Sequence, residues 1–335
     1  MKKFDCYIGI DVSKLTLDVS VLREEGDIAK TEYYKIENSE KSISQFVKKQ
    51  LGHYVLEQML FCFEDTGIYS IPLVYYLNDN KLAYWQVPSL EIKRSRGITR
   101  GKSDKIDAKD IAFYAYTQKH KFKPSRISTK PVQQLRLLFS EREKVLKSLA
   151  SFGRTSENKD FISKDVFKVV ASINRTVVKQ LTASLKSIEK KMMSIITSET
   201  KLNQQYELIT SIPGVGKQTA IYIIIATKGF DVFEHWRQLA CYAGIAPFPY
   251  QSGTSIRGRN KVHPLADRKM KSLLNMCALV SIRHDKSIKA YYERKVKEGK
   301  PKMLVVNNIR CKLLARVFAV INRGTPFVNI CKFAA

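Results

Sequence analysis

Acidic residues are scarce in this chain. The 31 Asp and Glu stand against 58 Lys and Arg, a formal net charge of +27 over 335 residues. Solubility does not need such an excess; it points to a polyanionic partner, most commonly nucleic acid. A ribosomal or membrane-surface protein would carry a tail-like basic block, whereas here the charge is spread along the whole length. The six cysteines form no CxxC pair, and the five histidines have no metal-ligand spacing. A zinc site and a disulfide framework are thereby excluded, and Cys6, Cys62 and Cys241, in apolar stretches, are expected as buried reduced thiols. Long apolar runs are missing too. The longest, around "AIYIIIA", falls far short of a membrane span. The opening "MKKFDCYIGID" lacks the apolar region of a signal peptide, so a cytoplasmic protein is expected. The apolar content of 44% can still build a sizeable core, enough for two domains or one large one.

Strand and helix signals alternate through the first third. Residues 5–22 read as two strands parted by a turn at "DVSK", and 32–38 as a third. "SEKSISQFVKKQL" reads as a helix capped by Ser39, with Ile43, Phe46, Val47 and Leu51 at helical spacing. "QMLFCFEDTG" is a buried strand, "IPLVYYLNDN" a helix with Pro72 in its first turn, and "KLAYWQVP" a short strand. Ser103 caps a helix over 103–118, for which Ile106, Ile111 and Tyr114 are expected as the apolar stripe. The pattern defines an α/β domain.

Asp11 ends the first strand, inside an apolar run where a carboxylate is costly unless a cation offsets it. Glu64 ends a later strand. Asp104 and Asp107 lie three apart at the start of one helix and share a face. Strand ends and helix starts of one sheet can converge, and four converging carboxylates call for hard divalent cations, Mg²⁺ or Mn²⁺. Two such ions can clamp the attacking and leaving oxygens of a phosphodiester. Singly, each acid is an ordinary surface or first-turn residue, and Asp18, Asp65 and Asp110 are neighbours that could be mistaken for members of the set.

From Val132 to Ile196, Leu135, Leu138, Arg142, Val145 and Leu149, then Val178, Leu181, Leu185, Ile188, Met192 and Ile195, recur at steps of three and four. Two long helices are expected, folded as an antiparallel coiled-coil arm about the polar break "SFGRTSENKD"; an ordinary helical bundle is the alternative. "LITSIPGVGKQTAIYIII" reads as a helix-hairpin-helix. Pro213 stops one helix, Gly214 and Gly216 permit the turn, and Thr219 begins the next. The turn amides and Lys217 suit a backbone phosphate. A basic, mostly helical stretch follows over 265–321. Arg94, Arg96, Arg100 and Lys102 flank the carboxylate helix and could grip a nucleic-acid backbone, although a solvated basic loop is the ordinary reading. Tyr75, Tyr76, Tyr114 and Tyr116 could stack on bases, but their helical spacing is more often that of core residues.

"YIGIDVSK", "FEDTGIY", "GKSDKIDAKDIA", "IPGVGKQTA" and "YAGIAPFPYQSGTSIRG" stand in this order, and the chain resembles, over nearly its full length, insertion-sequence transposases of the DEDD type, a group that includes Piv-type DNA invertases. The resemblance implies a RuvC-like, RNase H-fold domain over 1–128, a coiled-coil arm over 129–202 and a mainly helical transposase domain over 203–335. It places the acidic set on Asp11, Glu64, Asp104 and Asp107, and a catalytic serine, in the Gln-Ser-Gly motif, on Ser252. Ser255 is the nearby alternative, and a turn residue in a polar loop is the bland one. Arg257, Arg259 and Lys261 follow closely and could neutralise phosphate oxygens. The family's Lys-x-Gly stretch after the serine is absent, since "KVHPLADRKMKSLL" lacks that glycine. Similar members are bacterial, nucleoid-associated recombinases guided by a bridge RNA that pairs with donor and target DNA, assembled as dimers and tetramers with shared active sites. A hydrolytic nuclease or Holliday-junction resolvase, with Ser252 idle, and a non-enzymatic nucleic-acid scaffold are the competing readings.

Overall fold

The computed structural model describes residues 4–25, 28–52, 55–64, 66–95, 103–125, 127–153, 161, 163–252, 256–261 and 266–328, with the backbone alone around the serine motif. The chain divides into two compact units, Met1–Ile127 and Ser128–Ala335.

The first unit is built on a five-stranded sheet of order β3-β2-β1-β4-β5. β1 (Cys6–Val12), β2 (Thr16–Glu25) and β3 (Ile28–Glu37) form an antiparallel meander. β4 (Met59–Glu64) and β5 (Ala83–Val87) then add in parallel. β1 is central and apolar on both faces, as a covered strand must be. Ile8, Ile10 and Val12 join Phe61 and Phe63 beneath α1 (Glu40–Gln50) and α2 (Ile71–Asp79). The other face sets Tyr7, Leu22, Leu60 and Cys62 against Ile111, Ala112 and Ala115 of α4 (Asp104–Thr117). A short α3 (Ser89–Ser95) precedes α4.

Local chemistry explains the boundaries. The Ser39 and Ser103 hydroxyls accept from the amides of Ser42 and Ile106, capping α1 and α4, and Pro72 sits in the first turn of α2, where its missing N–H is harmless. One expectation for α4 fails. Ile106 is 39% exposed, on the solvent side with Phe113, because Ala108, Ile111, Ala112 and Ala115 define the face that meets the sheet.

Among its described residues, the second unit is helical apart from one hairpin. α5 (Lys130–Gly153) and α6 (Lys164–Ser198) pack against each other. Their seam is fully buried only at one end, at Val132, Leu135, Phe139, Met192, Ile195 and Ile196. Leu138, Arg142, Val145 and Leu149 are half-buried, because a helix pair covers each seam from one side only. α7 (Thr200–Thr210), α8 (Lys217–Ala226), α9 (Trp236–Tyr242), α10 (Arg268–His284), α11 (Lys286–Lys297) and α12 (Lys302–Arg323) share one core with that buried end. α8 begins two residues before Thr219, whose side chain is buried and meets the Cys277 thiol. β6 (Phe248–Ser252) and β7 (Ile256–Lys261) form the hairpin. Cys6, Cys62 and Cys277 are buried, whereas Cys241 is only half-buried; these and Cys311 are free thiols. Among the described residues, no helix is long and apolar enough to cross a membrane.

Candidate active site

Asp11 points to the α4 side of the sheet, sharing that face with Tyr7 and Gly9. Phe63 of β4 is level with Ile10, so Glu64, one step on, comes level with Asp11. α4 crosses β1, β2 and β4. It does so at very short range, because a Cβ on Gly9 would lie 2.2 Å from the Ala112 amide nitrogen and 2.4 Å from the Ala108 carbonyl oxygen. Only glycine permits this approach. The first turn of α4, with Asp104 and Asp107, is thereby carried toward Asp11. Sequence reasoning missed Gly9; its signal was a glycine inside an otherwise β-branched and aromatic strand.

Glu64, Asp104 and Asp107 therefore act on Asp11. Burial, then the charges of Asp107, Asp104 and Glu64, and last Asp18, push the Asp11 carboxyl up from 3.8 to about 6. Among the described residues no group of three or more His, Cys, Asp or Glu side chains is set to hold a metal ion as it stands. The donor set still fits a hard divalent cation: its oxygens are all carboxylate, and their mutual repulsion is what a cation would relieve.

One of the confusable neighbours, Asp18, separates from the set. Asp18 pairs with Asp11 across the strands and is 2% exposed. It has its own partners: the Tyr33 hydroxyl donates to it, and Lys35 lies 3.7 Å away. The Lys105 ammonium stands over the Tyr33 ring at 5.2 Å, tying the start of α4 to that side of the sheet. Asp18 is a satisfied structural carboxylate, and Asp65 lies outside the described residues.

Of the basic group beside α4, Arg94 is exposed in the last turn of α3, which the Tyr114 hydroxyl ties to α4 through Glu91 at 3.0 Å. Arg96, Arg100 and Lys102 lie outside the described residues. Tyr114 is buried, and Tyr116 packs edge-on against Tyr7, so both belong to the core. In the second unit Gly214 has φ +90° and is pressed on α10, where a Cβ would fall 2.0 Å from the Ser281 hydroxyl oxygen. That hydroxyl donates to the Pro213 carbonyl at 2.9 Å. Gly216 caps α8 with no side-chain bond and open space beside it, and Lys217 is exposed. The first-turn amides of α8 thus have no side-chain cap competing for them.

Ser252 is the last residue of β6 and pairs with Ile256, so it stands at the tip of the hairpin. Gly253 and Ser255 lie outside the described residues. Arg257, Arg259 and Lys261 occupy alternate positions along β7.

Acids near the ends of adjacent strands under a helix that brings two more, in a chain of charge +27, suit an enzyme that acts on nucleic acid. The chain is an enzyme of the DNA transposase and recombinase class. A family model for DEDD transposases of the IS110 type matches residues 8–157, and one for transposases of the IS116/IS110/IS902 family matches residues 206–293. A pilin gene-inverting protein of Moraxella bovis is 26% identical over 328 residues, 96% of this chain and 97% of that protein. One from Moraxella lacunata is 27% identical over 327 residues, with the same coverage. A 43.6 kDa insertion element IS110 protein of Streptomyces coelicolor is 28% identical over 152 residues, 44% of this chain and 37% of its own length. These matches support its assignment to the IS110/IS116-type DEDD transposases, and the five-stranded sheet with a mostly helical remainder is consistent with it.

Proposed function

We propose that the chain cuts and rejoins the DNA of a bacterial insertion sequence through a phosphoserine intermediate on Ser252. The observation that carries the strand-cutting part of this reading is the convergence of Glu64, Asp104 and Asp107 on Asp11. It is supported by a full-length likeness to DNA-inverting proteins. Asp11, Glu64, Asp104 and Asp107 would hold Mg²⁺ or Mn²⁺. Such ions, when bound, stabilise charge on the oxygens of a phosphodiester undergoing displacement. Ser252 Oγ attacks phosphorus, losing its proton, and the displaced DNA hydroxyl leaves carrying one. The ester bond to serine replaces the bond broken, so a second DNA hydroxyl can reverse the step with no ATP. Arg257, Arg259 and Lys261, with Arg94, Arg96, Arg100 and Lys102, supply charge for the backbone. Gly214, Gly216 and Lys217 would hold a further phosphate at the start of α8.

The partners of this reading are donor and target DNA and a bridge RNA that pairs with both. The basic excess suits two nucleic acids at once. Self-association as a homodimer, and then a tetramer, is supported by the exposed apolar row Val166, Val169, Val170 and Ile173 on α6. A domain division at about 128 and 202, a RuvC-like identity for the first unit and a cytoplasmic, nucleoid-associated location belong to the same proposal. The acid cluster would equally serve a hydrolytic nuclease or junction resolvase. The two readings part in one experiment. Protein, flanking non-coding RNA and labelled donor and target DNA are incubated with Mg²⁺ and run on a denaturing gel. A covalent adduct in the wild type and none in Ser252→Ala is the expected result. Cleavage without adduct, unchanged in the variant, would favour hydrolysis.

A further inference from the structure

Arg310 of α12 is 5% exposed, and among the described residues it has no carboxylate partner. Its guanidinium donates to two amide oxygens, Oδ1 of Asn275 on α10 and Oδ1 of Asn307 at 3.4 Å, while Nε has no partner. A buried charge held by neutral amides alone is an unfavourable arrangement, and an apolar side chain of similar volume is often neutral or stabilising in such a place. Stability therefore does not account for an arginine here.

Its neighbours do. With Oδ1 of Asn307 engaged by a donor-only group, the amide has one orientation, and Nδ2 faces away from Arg310. That Nδ2 donates to the Ile245 carbonyl at 2.8 Å. Ile245 is fully buried, and its own amide donates to the Ala240 carbonyl at 3.0 Å. The Ala246 amide donates to the same carbonyl at 3.2 Å, so the chain is pinned at 245–246, just before β6, which ends at Ser252. On the return side the Asp267 amide donates to the Tyr242 carbonyl at 2.9 Å, and the Tyr222 hydroxyl to the Asp267 carboxylate at 2.8 Å. The hairpin is thus clamped at both roots, and Arg310 with Asn307 forms the clamp at its entry.

We propose that Arg310 is a positioning residue for the serine chemistry, holding the Asn307 amide in the orientation that fixes the Ile245 carbonyl at the root of the Ser252 hairpin. This rests on the assignment of Ser252 as nucleophile. The test compares Arg310→Met and Asn307→Asp in the full-length protein with RNA, DNA and Mg²⁺. Asp at 307 still accepts from Arg310 but has no proton for Ile245. Both variants are expected to keep the wild-type melting temperature within a few degrees and to bind DNA normally. Adduct formation should fall by about ten-fold or more, since a small misplacement of a reacting group has that effect. The double variant should lose no more than the worse single one. Hydrogen exchange should quicken at the amides of Ala246, Phe248, Tyr250, Gln251 and Ser252 and stay unchanged along α12. A folded Arg310→Met that forms adduct at the wild-type rate overturns the proposal. If that variant does not fold, Asn307→Asp decides: a slowed reaction supports the clamp and a wild-type rate overturns it. Ser252→Ala in the same series separates the two claims. An adduct surviving in Ser252→Ala refutes the nucleophile, while the exchange pattern reports on the clamp independently.

Discussion

Gly9 of β1 and Ala112 of α4 touch backbone to backbone: a Cβ on Gly9 would lie 2.2 Å from the Ala112 nitrogen. A strand with Asp11 one residue from its end and a helix with Asp104 and Asp107 in its first turn are brought together at this point. Gly9→Ala must push α4 off the sheet. The expected destabilisation is about 1–3 kcal/mol, as for other overpacked sites. Strand cleavage should fall further than the loss of folded protein explains. Urea denaturation and a cleavage assay at a temperature where the variant is folded check both.

The acid cluster makes a prediction of opposite sign. Asp11 is held among Asp107, Asp104 and Glu64, whose charges oppose its own. Asp11→Asn removes one of the opposed charges. With EDTA present at neutral pH the variant should melt above the wild type, because function and stability conflict at such a site. Adding Mg²⁺ should raise the melting temperature of the wild type and leave the variant little changed, and cleavage by the variant should be lost. A variant less stable than wild type in EDTA would refute the repulsion argument.

Asp285, in the second unit, offers a pH test of its own. It caps α11, accepting from the Ser287 and Ile288 amides, and meets Arg316 at 2.6 Å. Burial alone would raise its carboxyl; hydrogen bonds from Ser287, Arg316 and Ile288 outweigh this and hold it below its usual range. A depressed carboxylate contributes stability above the unfolded value, near about 3.9, and loses it as pH falls through the folded one. Asp285→Asn should therefore lower stability by about 2–3 kcal/mol at pH 7. The gap to wild type should narrow as the pH drops below about 4. Urea midpoints of both proteins across that range measure it.

Much of the first unit was legible from local chemistry. Ser39, Ser103 and Pro72 mark helix starts through bonds made within one turn, and apolar runs mark the strands. The four acids could be grouped because strand ends and a helix start carry them. What was not legible depends on distant partners. Asp18 resembles Asp11 in sequence, and only the register with β3 gives it Tyr33 and Lys35. Ile106 looked like part of a stripe until the sheet selected the Ala108 face. Arg310 is one arginine among many, and its meaning comes from Asn275 and Asn307, which the packing of α10 and α12 supplies.

The α8 start yields a prediction about DNA affinity. Lys217 is exposed beside first-turn amides that no side chain caps. Lys217→Ala should weaken binding about equally for unrelated DNA sequences and reduce the slope of log affinity against log salt by roughly one. A loss confined to one sequence would instead assign the lysine to base recognition.

The most direct test is to locate the DNA on the protein. Wild-type reactions stopped in denaturant, treated with nuclease and digested with trypsin leave a short nucleotide on the peptide that ends at Arg257. Fragmentation mass spectrometry then assigns the phosphate to one side chain. Ser252 is the expected position. A nucleotide on Ser255 or any other residue, or cleaved DNA with no modified peptide, would contradict it.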